Sequence, residues 1–500
     1  MTLRAFRRRL GGKGQQQSLA RVFGLAWIGG LSLLLGCQAT TPPEPSAPPK
    51  RPNVLLIVVD TLRADHLGFL GYERSTSPHL DRFAADAITF KQAIAHAPWT
   101  SPSIGALLTS QYPGALGFAD SKEPARVDDD VLFLAEILRQ HDYPTTAIIS
   151  HTYLGTRIGF QQGFDRFDED NALGPNHVSS VSVTDKAIAF LDETASSASS
   201  SEPSESSNPA DPEPPAAADP PFFLFLHYFD PHFAYRRHEG FDFYPDYQGD
   251  VRSGEPYGSL LERAREESIS DDDLTFIRAL YDSEIRFTDL HLGRLLDELK
   301  RRGLYDDALI LFTADHGEAF LDRKDRWIGH GKTLFQELIH VPLLIKLPGG
   351  AGGGTVVDTP VGLIDVLPST LELLDIPFPE AHRFEGRTLP LSDREALLSL
   401  PPAPVFSETL ARNRWLQSII EGRWKLIFNR KTAKPRLFDL EADPLETTNL
   451  ASHEPETLRR LSSALRAWSE RIDERRGQAG APATFSPEEQ ERLRALGYLP

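Results

Sequence analysis

The 500-residue chain contains a single cysteine, Cys37. No intramolecular disulfide can form, so a disulfide-stapled fold is excluded. Cations are scarce too: 53 Lys and Arg stand against 71 Asp and Glu, a formal net charge of −18. Nucleic acid is excluded as a partner, because phosphate contacts need clustered cations. A small anionic substrate is not excluded, since a few local positive groups override a negative whole. Internal repeats are absent. So is a comfortable membrane span: the apolar run from Val22 to Leu35 is short and broken by glycines.

What is present begins at the N-terminus. Arg4, Arg7, Arg8, Arg9, Lys13 and Arg21 precede the apolar run, which ends Leu34-Leu35-Gly36-Cys37. That ending resembles the lipobox of bacterial lipoproteins. The resemblance implies cleavage before Cys37, acylation of Cys37 and a membrane lipid anchor. The body would then face the periplasm or cell surface of a bacterial envelope. Gln38, rather than Asp, resembles lipoproteins sorted to an outer membrane. The alternative is an uncleaved anchor helix; in both cases the body lies outside the cytoplasm. Residues 1–37 are thus leader and lipobox, and 38–51 a semi-stiff Pro-rich tether.

Beyond the tether, Asn53 to Val59 is continuously apolar and β-branched and stops at Asp60. Such a run reads as a strand buried on both faces of a parallel sheet. Pro78–Ala87 reads as a helix, Ile88–Phe90 as a strand, Val131–Gln140 as a helix and Thr145–Ser150 as a strand. Pro221–Leu226 is a buried strand running into His227-Tyr228-Phe229-Asp230-Pro231-His232. Asp272–Arg301 is a long amphipathic helix, Ala308–Phe312 a strand ending at Asp315 and His316, Val341–Ile345 a strand and Leu363–Leu374 a helix. Alternating strands and helices predict an α/β sandwich around a large, mostly parallel sheet. Residues 195–220, rich in Ser, Pro and Ala, cannot bury enough apolar area to offset ordering and read as a disordered insert. The catalytic domain is expected over 52–400. From 401 to 500, short alternating runs (Val405-Phe406, Trp424–Phe428, Arg436–Leu440) and the helical Pro455–Arg475 predict a smaller α+β subdomain.

The loop Ala97-Pro98-Trp99-Thr100 feeds a short helix, with Ser101 as cap and Pro102 at its first position. Thr100 would precede a helix N-terminus, which favours an anion. Asp60, Asp315 and His316, each at a strand end, would form with Thr100 Oγ a mostly oxygen-donor site for one divalent cation, Ca²⁺ first, with Mg²⁺, Mn²⁺ or Zn²⁺ as alternatives. Taken singly, the acids read as helix caps and the imidazole as a core histidine. His227, Asp230 and His232 form a second cluster, read as a general acid with substrate-orienting partners, as a structural turn, or as the ligands of a second metal. Lys332, after His330-Gly331, is either a cation for substrate oxygens or a surface lysine. Glu318 and Arg63 read as supporting or surface residues.

Together these residues resemble the sulfatase family of the alkaline phosphatase superfamily. Asn53–Asp60 with Thr61-Leu62-Arg63-Ala64-Asp65 resembles its first metal strand. Thr100–Thr109 resembles its nucleophile motif, and Asp230-Pro231-His232 its substrate-site histidine. Phe312–Glu318 resembles its second metal strand, and His330-Gly331-Lys332 its active-site lysine. Leu437–Leu440 with Asp443-Pro444 and Thr448-Asn449-Leu450 resembles the start of its C-terminal subdomain, and Leu493–Leu499 the closing motif of one branch. The resemblance implies a metal-dependent hydrolase of a small anionic ester. Thr100 would be nucleophile, Asp60, Thr100, Asp315 and His316 metal ligands, His232, His227 and Lys332 catalytic, and His330 and Asp230 substrate-binding.

The chain departs from the family's pattern at three places. Thr100 stands where sulfatases oxidise a Cys or Ser to formylglycine, and oxidising a Thr carbinol gives a ketone, so no formylglycine is expected. Ile104 replaces the motif's Arg, and Asp60-Thr61 replaces a pair of acids. A Thr ester cannot collapse to a carbonyl as a formylglycine hydrate does. The transferred group is therefore sulfuryl or phosphoryl/phosphonyl. A Thr-type phosphoryl transferase and a catalytically silent, lipid-anchored binding protein remain alternatives.

Overall fold

Val54–Val59 has no polar residue with which to face water, and both its faces must be covered. This strand, β1, is buried along its whole length at the centre of the main sheet. The computed structural model describes residues 51–118, 125–172, 179–199, 220–323, 327–410, 414–476 and 483–495. The leader, Cys37, the tether up to Lys50, residues 200–219 of the expected insert and 496–499 of the closing motif lie outside the described residues. Among those described, no helix is long and apolar enough to cross a membrane.

Across the main sheet the order is β10 (Val356–Val357), β2 (Ile88–Ile94), β9 (His340–Lys346), β6 (Leu309–Ala314), β1, β5 (Phe223–Tyr228), β3 (Thr145–Ile148) and β4 (Arg166–Asp168), with β11 (Val361–Gly362) also on β2. Only β9 runs antiparallel to its neighbours. The sheet is mostly parallel and flanked by helices, as expected. Asp271–Arg301 is the longest described helix; Ser270 caps it, its Oγ accepting from Asp273 N while Asp273 accepts from Ser270 N. The expected insert starts too early at Ala195: the helix Ser179–Ser199 continues through its first five residues. Its Ala and Ser residues prolong a helix already nucleated upstream, which composition alone does not reveal.

The C-terminal sheet is an antiparallel meander, β12 (Val405–Thr409), β13 (Leu416–Glu421), β14 (Trp424–Asn429) and β15 (Lys434–Asp439). The sequence reading missed β13, whose Gln417 and Ser418 are both buried and break the apolar pattern. The helix Pro455–Asp473 packs across this sheet, and Trp468 stacks on Phe406 with centroids 4.9 Å apart. Edge strand β12 ties the sheet to the main body. Glu408 N donates to His96 O (2.9 Å), Ser407 Oγ to Ala95 O (2.7 Å) and Thr409 Oγ1 to Gly331 O (3.1 Å). It thereby braces the chain leading to Thr100 and the loop carrying His330. A small ribbon, β7 (Ala319–Phe320) with β8 (Ile328–Gly329), completes that loop.

Candidate active site

Parallel strands in register end at one edge, so the residues following them meet. Val59 pairs with Ala314 on one side and Tyr228 on the other. This sets Asp60 beside Asp315 and His316, with His227 one position back on β5. All four are fully buried. His316 Nε2 lies 3.4 Å from Asp315 Oδ2, 3.8 Å from Asp60 Oδ1 and 3.5 Å from Thr100 Oγ1. On its other side, Asp60 Oδ2 is 3.6 Å from His227 Nε2.

The helix begins two positions earlier than the capping pattern suggested. It runs Thr100–Thr109 with Trp99 as N-cap, so Thr100 is its first residue. Ser101 does not cap it; Ser101 Oγ donates to Tyr153 O (2.7 Å). Ser103 Oγ donates to Asp315 O (2.5 Å), locking this helix to the end of β6. Ile104, where the family resemblance expects Arg, is buried in the apolar core and offers no donor. Gly317 is required: a Cβ there would meet Glu337 O at 2.2 Å.

The donor set fits a divalent cation. Both oxygens of Asp60 and Oδ2 of Asp315 are buried without a hydrogen-bond partner. Burying ionised carboxylate oxygens unpaired is costly, and a cation removes that cost. Burial pushes the Asp60 and Asp315 carboxyls up, and the charges of Asp315 and Glu318 push Asp60 further. A bound cation inverts that tendency. His316 Nδ1 is 2.9 Å from Gly317 O and donates to it, leaving the Nε2 lone pair facing the carboxylates.

The structure places the other predicted residues unevenly. His232 is buried, its Nδ1 donating to Phe233 O (3.1 Å), with its ring 5.0 Å from that of His330. Burial and the neighbouring His330 hold its proton affinity well below the ordinary histidine range. Burial, then His316, pushes His227 down to about 3. His330 Nδ1 donates to Glu318 Oε1 (3.1 Å). Glu318 is a fully buried carboxyl, not a surface one, pushed up to about 8 by burial. Lys332 is half-buried with Nζ over the Trp327 ring.

Asp230, expected to bind substrate, is engaged by the start of a helix. Its Oδ2 accepts from Ser180 N (2.8 Å) and Ser180 Oγ (2.6 Å), and Oδ1 from Ser179 N (3.4 Å). It clamps the start of the Ser179–Ser199 helix, because unpaired N–H groups there draw a carboxylate.

Two residues escaped sequence reasoning. His151, just beyond β3, offers a ligand atom within 4.8 Å of those of Asp60 and His232. Its signal was available: it follows a buried parallel strand, as Asp60 does. Thr61 adopts φ +54° and donates its N–H to Asp315 Oδ1 (3.1 Å). Sequence carries no signal for that.

A family model described as Sulfatase matches residues 52–376. An ulvan-active sulfatase of Formosa agariphila is 27% identical over 444 residues, covering 80% of this chain and 77% of the relative. A choline-sulfatase of Rhizobium meliloti is 33% identical over 192 residues, 37% of this chain and 35% of that one. Among solved structures, a protein in complex with its substrate D-glucosamine-2-N,6-O-disulfate superposes with TM-score 0.64 at 17% identity, covering 85% of this chain and 99% of the other. A phosphonate monoester hydrolase of Agrobacterium radiobacter gives TM-score 0.60 at 21% identity, over 86% and 96%. These two likenesses are of fold.

Proposed function

Because the chain belongs to the sulfatase family, we propose that it is an ester hydrolase whose nucleophile is Thr100 and whose substrate is a small anionic phosphate or phosphonate ester. The observation that carries this reading is the Thr100 hydroxyl, 3.5 Å from His316 Nε2 and beside three buried carboxylate oxygens without partners. A divalent cation held by Asp60, Asp315, His316 and Thr100 Oγ would lower the hydroxyl's proton affinity and screen the charge of the transferring group.

Thr100 Oγ gives its proton to solvent water and attacks phosphorus, and the bond from phosphorus to the leaving oxygen breaks. His232 serves that oxygen. Its imidazole is neutral in the resting protein, and an anionic ester beside it raises its proton affinity enough to carry a proton in. Water then attacks the phosphorylated or phosphonylated Thr100. His232, now neutral, accepts the proton from that water, the bond from phosphorus to Thr100 Oγ breaks, and a proton from solvent restores the Thr100 hydroxyl. A threonine ester needs that second attack because it has no carbonyl to collapse into. The Thr-nucleophile branches of the superfamily, which act on phosphorus, resemble this arrangement. The second reading is a sulfuric ester, favoured by the sulfatases among the relatives.

The test compares aryl phosphate, aryl phosphonate and aryl sulfate turnover by the metal-loaded chain and by Thr100→Ala. Turnover of the phosphorus esters, falling by about 10³-fold or more in the variant, is expected. Turnover of the sulfate alone would move the assignment to sulfur. Full activity in Thr100→Ala would remove Thr100 as nucleophile.

A further inference from the structure

Resting on the reading that Thr100 is the nucleophile, we infer that Phe485, on a C-terminal arm, is a positioning residue of the active site. Through Tyr153 it holds both His151 and the start of the Thr100 helix.

The arm comprises residues 483–495. Its helix, Pro487–Ala495, has nine residues, among them Glu488, Glu489, Glu491 and Arg494. A helix that short does not hold itself together in water, so docking orders it. Ser486 opens it: Ser486 N donates to Glu489 Oε2 (2.6 Å), and Glu489 N to Ser486 Oγ (3.3 Å). Two side chains seat the arm in the main apolar core: Phe485, 8% exposed, and Leu493, fully buried. Leu493 is the residue with which the closing motif begins.

The arm grips the turn that follows β3. Arg157 Nε donates to Glu489 Oε1 (2.5 Å), and Arg157 Nη1 to Thr484 O (3.2 Å). The Phe485 ring meets the Tyr153 ring edge-on, with centroids 6.0 Å apart. Tyr153, fully buried, connects this contact to two sides of the site. On one side is His151, which caps the short helix Thr152–Leu154 by accepting from Tyr153 N at Nδ1 (2.9 Å). The His151 and Tyr153 rings stack at 5.6 Å. On the other side, the Tyr153 ring lies edge-on to Trp99 (6.2 Å), the N-cap of the Thr100 helix, and Tyr153 O accepts from Ser101 Oγ (2.7 Å). Both chain neighbours of Thr100 thus rest on Tyr153, as does the histidine whose ligand atom lies within 4.8 Å of those of Asp60 and His232.

Removing the Phe485 ring leaves a cavity against Tyr153, and packing draws Tyr153 toward it. His151, Trp99 and Ser101 then shift with it, and a displacement of about 1 Å at reacting groups costs up to roughly 100-fold in rate. Asp60, Asp315 and His316 are anchored differently. They follow β1 and β6, which pair with each other, and none of the arm's contacts named above reaches them.

The experiment follows hydrogen exchange by mass spectrometry, ester turnover and cation affinity in the full chain: wild type, Phe485→Ala, Phe485→Leu and Glu489→Ala. In Phe485→Ala, the peptide spanning 151–157 should exchange at least about tenfold faster, while β1 and β6 keep their protection. kcat for an aryl phosphate should fall by about 10- to 100-fold. Cation affinity should stay within about twofold, as expected for a distant site. Phe485→Leu, which keeps an apolar plug, should restore most of the exchange protection and of kcat. Glu489→Ala breaks the Arg157 pair and the Ser486 cap. It should move exchange and kcat in the same direction by about two- to fivefold, and decides the matter if Phe485→Ala does not fold. Unchanged exchange at 151–157 overturns the proposal, and so does faster exchange there with kcat intact. Loss of cation affinity together with protection in β1 and β6 also overturns it, since Phe485 would then serve the core as a whole. A wild type without turnover, in which exchange still responds as expected, leaves the hold on Tyr153 standing and removes Thr100 as nucleophile instead.

Discussion

Thr61 donates its backbone N–H to Asp315 Oδ1 at 3.1 Å, and it does so from φ +54°. A β-branched residue in the left-handed region is strained, by roughly 1–3 kcal/mol. Tyr281 holds it there, donating to Thr61 O (2.6 Å) and accepting from Arg63 N (2.9 Å). The strain aims one oxygen of Asp315 at the backbone and leaves Oδ2 for the site.

Thr61→Gly should therefore be nearly neutral. Relief of strain offsets the lost side-chain burial and the added unfolded-state entropy, each about 1 kcal/mol. Thr61→Pro lacks the N–H and holds φ near −65°, so it should cost about 3 kcal/mol or more and weaken cation binding. Urea unfolding and cation titration check both. A tolerated proline would show that this bond does not orient Asp315.

Asp230→Asn separates a structural clamp from a substrate contact. One oxygen of Asp230 takes Ser180 N and Ser180 Oγ. The change should cost about 1–2 kcal/mol of stability, as losing a helix cap does. kcat and KM for the ester should barely move. A large rise in KM at unchanged stability would restore Asp230 to substrate binding.

Glu318 gives a pH dependence with a definite sign. Its folded-state proton affinity is raised, to about 8, above an ordinary value of 4.5, so the folded chain holds the extra proton between those values. In cation-free protein, stability should fall as pH rises from about 4.5 to about 8, at up to roughly 1.4 kcal/mol per pH unit from this group. Glu318→Gln should flatten that part of the profile. Denaturant midpoints at pH 5.5 and 8.5 for both chains measure it. Parallel profiles would show that Glu318 keeps the same proton affinity in both states.

The sites read most clearly from sequence are Asp60, Asp315 and His316. Each follows an unbroken apolar run, and a parallel sheet brings the ends of such runs to one edge. The same logic points to His151, but β3 is only four residues long. Its membership of the sheet depends on pairing with β5, 78 positions away in the chain. Strand β13 was hidden for a related reason: Gln417 and Ser418 are buried by β12 and β14, not by their own hydropathy.

By itself, the sequence determined the α/β class, the acids and imidazole that follow the buried strands, a hydroxyl at residue 100 and the lack of an arginine at 104, because these follow from side-chain identity and local periodicity. Only the tertiary structure decided which groups the imidazoles of His227 and His316 face, which carboxylate oxygens stay unpaired, and that Asp230 is bonded to Ser180 at a helix start. Those outcomes depend on partners such as Ser150, Gly317 and Ser180, far away in sequence or undistinguished in it, and packing alone brings them within hydrogen-bond reach.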